Sequence, residues 1–162
     1  MTPSFEEFYA AHYTRLTVQV GAYLGDLVEA QDVVQEAFSR AWPRWESISR
    51  YEEPAAWIRR VAWNEATSRW RRLRTARAYA REQRRQLVAG PEPDRVALVD
   101  ALRTLPPNHR RAVVLFYLAD LSVADIAADC GVTPSTVKSW LHRARAALAD
   151  QLNDAEGVPS RV

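Results

Sequence analysis

LSVADIAADCGVTPSTVKSWLHRARAALADQL, residues 121–152, carries the punctuation of two helices joined by a tight turn. Ser122 with Asp125 forms a cap for a short helix that contains Ile126 and Ala127. Gly131 supplies the turn, where a residue without Cβ takes positive φ at little cost. Thr133 then caps a second helix, with Pro134 at its first position. Counted from Val123, Ala127, Gly131 and Val137 fall at positions 5, 9 and 15, where a helix-turn-helix needs close approach and one buried branched side chain. The second helix places Ser135, Lys138, Ser139, His142, Arg143 and Arg145 on or near its outer surface. Arginine and lysine there can bridge phosphates or guanine edges in a major groove. A purely structural helix pair is the competing reading, but it has no need of the small residue, the glycine and both caps in this register.

The rest of the chain is of one kind with this segment. Hydrophobic residues make up 48% of the 162 and charged residues 26%, the balance of an ordinary globular protein. Only five glycines, no alternating run of β-branched residues and long Ala/Arg/Leu/Glu segments point to helices throughout. The single cysteine, Cys130, excludes an internal disulfide framework and fits a reducing compartment. The N-terminal MTPSFEEFYAAHY lacks the basic flank and apolar run of a signal peptide. No apolar stretch approaches the ~20 residues of a membrane span, so a cytoplasmic protein without membrane insertion is expected.

Net charge is only +2, yet it is unevenly spread. Residues 1–40 carry six acids against Arg15 and Arg40, whereas RWRRLRTARAYAREQRR (69–85) carries eight arginines against Glu82 alone. That asymmetry suggests an acidic surface for a protein partner and a basic one for a polyanion. Arginines that merely solvate a helix face are the plainer alternative.

A capping box at Ser4 and Glu7 opens a first helix with Phe5, Phe8, Leu16, Val20 and Leu24 at helical spacing, broken at Gly25 and Asp26. A second helix is predicted from about Glu29 to Trp42. Val33, Val34, Ala37, Phe38 and Ala41 make its apolar face, and Asp32, Gln35, Glu36 and Ser39 a polar stripe. PRWESISRYEEP (43–54) reads as a loop or short irregular turn, and Pro54 opens a third helix through residue 74. There Arg60, Asn64, Thr67, Ser68 and Arg71 share one face, and Ile58, Val61, Ala62 and Glu65 lie on another. Residues 75–94 fade into a linker composition, followed by helices over 95–103 and 107–119. Nothing in the chain resembles a catalytic constellation, a phosphate loop or a metal site, and no cofactor is expected. Cys130 and His142 read as a small core residue and a groove- or phosphate-facing residue respectively.

The stretch EAQDVVQEAFSRAW (29–42), followed fifteen residues later by WIRRVAWNEATSRWRR (57–72), resembles the group IV, or extracytoplasmic-function, sigma factors of bacterial RNA polymerase. The first matches the family's core-binding helix, the second its promoter-melting and promoter-reading helix. LPPNHRRAVVLFYLADLSVADIA, together with the helix-turn-helix it leads into, looks like the family's C-terminal DNA-binding domain. FEEF near the start and EEPAAWIRRVAWNEATSRWRR are similar to an actinobacterial branch labelled SigE-like. The resemblance implies an all-α chain of two small helical domains joined by a basic flexible linker. Residues 1–75 would be sigma region 2, 76–93 the linker, 94–153 sigma region 4 and 154–162 a tail.

It also implies a function without catalysis: binding core polymerase and directing it to promoters, which the protein recognises and melts. Asp32, Gln35, Glu36 and Ser39 would bind the clamp helices of the largest polymerase subunit, and the second domain the flap of the second subunit. Arg60, Trp63, Asn64 and Arg71 would contact the minus-ten element, since melting needs aromatic surfaces and amide or basic groups to hold unstacked bases. Trp57 is expected in the core. The loop at Glu46–Glu53 would help form a base pocket, and Ser135, Lys138, Ser139, His142 and Arg143 would read the minus-thirty-five element. Many members of the family are held inactive by an anti-sigma factor. Gln31, Arg59, Ser68 and Trp140 depart from the family pattern, the last three near the bases. A stand-alone regulator with a ligand-sensing or dimerising N-terminal half is the alternative, and an enzyme with a DNA-binding tail has no residues in its support.

Overall fold

The structure, a computed structural model, describes residues 1–85 and 93–155, with side chains for 1–74 and 97–154. The described residues form helices and their connections: α1 (Phe5–Leu24), α2 (Leu27–Ala41), α3 (Trp45–Ile48), α4 (Pro54–Arg85), α5 (Pro93–Thr104), α6 (Pro107–Tyr117), α7 (Val123–Cys130) and α8 (Pro134–Ala155). A 3₁₀ turn at Trp42–Arg44 links α2 to α3. The chain divides into two compact units, Met1–Ala89 and Gly90–Val162. The all-α, two-unit reading of the sequence is what the structure contains. Of the linker expected at 76–93, residues 76–85 continue α4, while 86–92 lie outside the described residues, as does 156–162 of the expected tail.

In the first unit the Ser4 capping box is complete. Ser4 Oγ accepts from the Glu7 amide at 3.1 Å, and Glu7 Oε2 accepts from the Ser4 amide at 2.9 Å. Gly25 ends α1 in the left-handed region at φ 68°. Asp26 is more than a breaker: its Oδ1 accepts from the Val28 and Glu29 amides at 3.0 and 3.2 Å, which starts α2 at Leu27 rather than near Glu29. The apolar face of α2 lies where the periodicity places it, with Ala30, Val33, Val34, Ala37, Phe38 and Ala41 buried. Against it pack Phe8, Leu16, Val20, Tyr23 and Leu24 of α1 and Ile58, Ala62, Trp63 and Ala66 of α4. At one end Phe5 meets Phe38 edge-on at 6.1 Å and Phe8 meets Trp45 at 4.7 Å. That contact seats the segment 43–54, whose first part folds as the 3₁₀ turn and α3 while residues 49–53 form the expected irregular turn.

The second unit is built on α8, against which α5, α6 and α7 pack. Its core is Ala101, Leu102, Leu105, Ala112, Val114, Leu115, Ile126, Ala127, Val137, Leu141 and Ala144. Arg110 is buried with them at 1% exposure. Its Nη2 donates to the carbonyls of Arg103 and Leu105 at 3.1 and 3.0 Å, so the guanidinium caps the C-terminal end of α5, where the helix dipole favours a cation.

Candidate nucleic-acid and polymerase interface

The helix-turn-helix forms from its own local chemistry. Ser122 Oγ accepts from the Asp125 amide at 3.1 Å and donates to the Asp125 carboxylate at 2.8 Å. Gly131 closes α7 at φ 68°, a conformation any other side chain would strain. Thr133 Oγ1 accepts from the Thr136 amide at 3.3 Å at the start of α8. Ala127 and Val137 are buried between the two helices, which leaves the opposite face of α8 free to enter a groove. On it Ser135, Lys138, His142 and Arg143 are exposed and Ser139 is half-buried. Arg145 behaves differently: its Nε donates to the Tyr117 hydroxyl at 2.6 Å, and its guanidinium lies 5.6 Å from the Phe116 and Tyr117 rings. It braces α8 on α6. His109, at the start of α6, is pushed below its ordinary pKa by burial and by the charge of Arg143. The neutral ring therefore adds no repulsion beside that arginine.

In the first unit Asp32, Gln35, Glu36 and Ser39 are all exposed on the face of α2 opposite its apolar one. Along α4, Arg60, Asn64, Ser68 and Arg71 are exposed on a common side. Trp63 is not with them. It is fully buried (0% exposed), edge-to-face with Tyr23 at 5.1 Å, so the expectation that it touches minus-ten bases is corrected: its ring is core. Residues 58, 62, 63 and 66 share the helix face turned to α1 and α2, and the bulkiest of them fills the space between. Trp57, expected in the core, is instead half-buried. It borders an open depression of about 600 Å³ whose walls include Arg44, Glu46, Ser47, Arg50 and Tyr51. Trp70 is half-buried as well, with the Arg74 guanidinium 5.7 Å from its ring.

A chain of ion pairs that sequence reasoning missed runs between α2 and α4. Arg40 Nε pairs with Glu36 Oε1 at 2.9 Å, and Arg40 Nη2 reaches Glu65 Oε2 at 3.5 Å. Arg69 pairs with Glu29 at 3.1 Å and lies 3.8 Å from Asp32 and 4.0 Å from Glu65, while Arg72 meets Glu65 at 3.1 Å. The signal available was Glu65 itself, an acid set among arginines at positions 69 and 72 on one helix face. Among the described residues no group of His, Cys, Asp and Glu could hold a metal ion, and no helix is long and apolar enough to cross a membrane. The half-buried Cys130 thiol is raised above its ordinary pKa chiefly by burial, which leaves it a weak nucleophile.

The second unit thus carries a helix-turn-helix with an exposed polar and basic helix face, and the first an exposed polar stripe and a depression walled in part by aromatic rings. Comparison with known proteins narrows this. The family model described as Sigma-70 region 2 matches residues 8–76, and that described as Sigma-70, region 4 matches residues 95–148. The RNA polymerase sigma-E factor of Streptomyces coelicolor is 36% identical over 155 residues, covering 91% of this chain and 85% of the relative. The ECF RNA polymerase sigma factor SigL of Mycobacterium tuberculosis is 37% identical over 132 residues, covering 76% and 75%. In fold, the chain is similar to the sigma factor RpoE of Bartonella quintana, solved with the anti-sigma factor NepR. The TM-score is 0.74 at 24% identity, over 92% of this chain and 96% of that one.

The chain belongs to the extracytoplasmic-function sigma factors of RNA polymerase. It is accordingly an initiation factor that binds core polymerase and promoter DNA and directs promoter-specific transcription, and it is not an enzyme.

Proposed function

We propose that this sigma factor grips polymerase and promoter through three sets of residues. Asp32, Gln35, Glu36 and Ser39 dock on the clamp helices of the largest polymerase subunit. Arg60, Asn64 and Arg71 contact the minus-ten element. Ser135, Lys138, Ser139, His142 and Arg143 read the minus-thirty-five element, and the second unit rests on the flap of the second subunit. The division of labour follows residues 1–75 and 94–153, with 76–93 as linker and 154–162 as tail. The observation that carries the reading is the exposure of all four α2 residues on one side of a helix whose other side is wholly buried. The depression bordered by Trp57 and Tyr51 supports a base pocket, because it joins aromatic faces to the basic group of Arg44 and to the Arg50–Glu46 pair at 2.8 Å. The protein acts in the cytoplasm, and an anti-sigma factor is proposed as a further partner by analogy with the Bartonella complex.

Transcription with purified core polymerase tests this. Glu36→Lys is expected to weaken core binding about tenfold or more while the melting profile of the chain stays unchanged. Undiminished binding would remove the α2 stripe from the interface. Tight operator binding by the chain alone, steeply salt-dependent and without effect on core enzyme, would favour a free-standing regulator instead. At the other end, Lys138→Ala or Arg143→Ala should cost about 1–3 kcal/mol of promoter affinity if the side chain touches a base edge, and relax specificity at one position. Binding competition between matched and mutated minus-thirty-five sequences separates that outcome from a phosphate contact, which weakens all sequences alike.

A further inference from the structure

The exposed face of α2 runs further than the four polar residues on it. Val28, Asp32, Gln35, Ser39 and Trp42 follow one another at spacings of four, three, four and three residues, and all five are exposed. That is the spacing of a heptad seam, which keeps side chains in line along a helix and suits packing against a second helix at about 20°. Trp42 stands just past the last turn of α2 but keeps right-handed helical angles, φ −49° and ψ −56°. Its amide donates to the Phe38 carbonyl, so it stays on the line. The seam is polar in the middle and apolar at both ends, with Val28 68% and Trp42 57% exposed. Trp42 is the most exposed of the six tryptophans. It is also held in place, since the Phe5 ring meets it edge-on at 4.8 Å and Phe5 in turn leans on Trp45 at 5.6 Å.

The charges beside this seam are partly neutralised within the chain. Glu36 pairs with Arg40 at 2.9 Å, and Asp32 lies 3.8 Å from Arg69. Exposed charges of this kind contribute little to affinity, whereas a tryptophan that loses its water on contact can contribute a large share. We propose that Trp42 and Val28 are the apolar anchors of core-polymerase docking, at the two ends of a seam about 21 Å long that packs on a helix of the polymerase clamp. The inference rests on the docking role of the α2 stripe proposed above. Continuity with that stripe assigns the occupant: a partner helix lying along Asp32, Gln35 and Ser39 runs onto Val28 in one direction and Trp42 in the other. The polar centre fixes the register of such a pairing. The indole, already seated on Phe5, gives up little freedom when it is covered.

The test is binding of the full chain to purified core polymerase, at a temperature where circular dichroism shows each variant folded. Affinity should fall about tenfold or more for Trp42→Ala and about three- to tenfold for Val28→Ser. Both losses should persist as salt is raised, whereas the loss from Glu36→Lys should shrink. Trp42→Phe keeps a ring on the line and should recover part of the affinity. Val28 is 68% exposed, so its variant decides the matter even if Trp42→Ala folds poorly. If either variant, folded, binds core polymerase as the parent does, the two-ended seam is overturned. Glu36→Lys, made alongside, separates the failures. If it weakens docking, the anchors fail alone; if it does not, the α2 reading fails with them. A Trp42 or Val28 variant that abolishes self-association of the free chain and leaves core binding intact gives the face to a second copy, and overturns the proposal as well.

Discussion

Replacing Trp63 with alanine is expected to destabilise the first unit by about 3–5 kcal/mol. The indole is fully buried, meets Tyr23 edge-on at 5.1 Å, and stands where α4 crosses the core made by α1 and α2. Truncation removes its burial and leaves a cavity in a close-packed core of three helices. Domains of this size are stable by about 5–15 kcal/mol, so the loss is a large fraction of the total. Urea denaturation followed by circular dichroism measures it. The outcome separates two roles for one residue. A tryptophan that stacks on a melted base would leave stability unchanged on removal and abolish open-promoter formation. A core tryptophan lowers stability first, and Trp63→Phe should recover much of it.

Arg110→Met should cost the second unit about 2–4 kcal/mol. The guanidinium donates to two main-chain carbonyls at the end of α5 from a site that is 1% exposed. Hydrogen bonds from a charged donor contribute about 1.5–3 kcal/mol each, and an orphaned buried carbonyl adds a desolvation penalty. Methionine fills much of the volume, which offsets part of the loss. Arg110→Lys keeps the charge but lacks the fork and should fall between the two. Thermal unfolding of the three proteins gives the order directly. Promoter binding should decline in the same order, because the next residue back, His109, sits within the field of Arg143.

These two residues also mark where the sequence stops being legible. Caps and turns could be read because they act over three or four residues: Ser4 with Glu7, Ser122 with Asp125, and Gly131 all do in the structure what their spacing announces. The two faces of α2 were equally plain, since five apolar and four polar residues separate cleanly at helical period. Trp63 was ambiguous because an aromatic ring suits a core and a base alike, and a helix as rich in tryptophan as α4 offers several candidates for each role. Trp63 is core and Trp57 is only half-buried. Arg110 gave no signal, because a charged residue reads as exposed until the carbonyls that receive it are known. The four-residue α3 is too short to show a period at all. Glu65 was visible as an acid in a basic stretch, but Arg40 lies on another helix, and periodicity carries no information across helices.

Four of the helices, α4, α5, α6 and α8, begin on proline: Pro54, Pro93, Pro107 and Pro134. Proline cannot continue a helix backward at low cost, so each of these helices has a fixed zero from which residues are counted. On α8 the origin is Pro134, and Lys138 and Arg143 keep constant angular addresses relative to it. One residue inserted just after the proline would turn every later side chain by about 100° while leaving the helix intact. The exposed edge of α8 is thus indexed from its proline, as a key is cut from its shoulder.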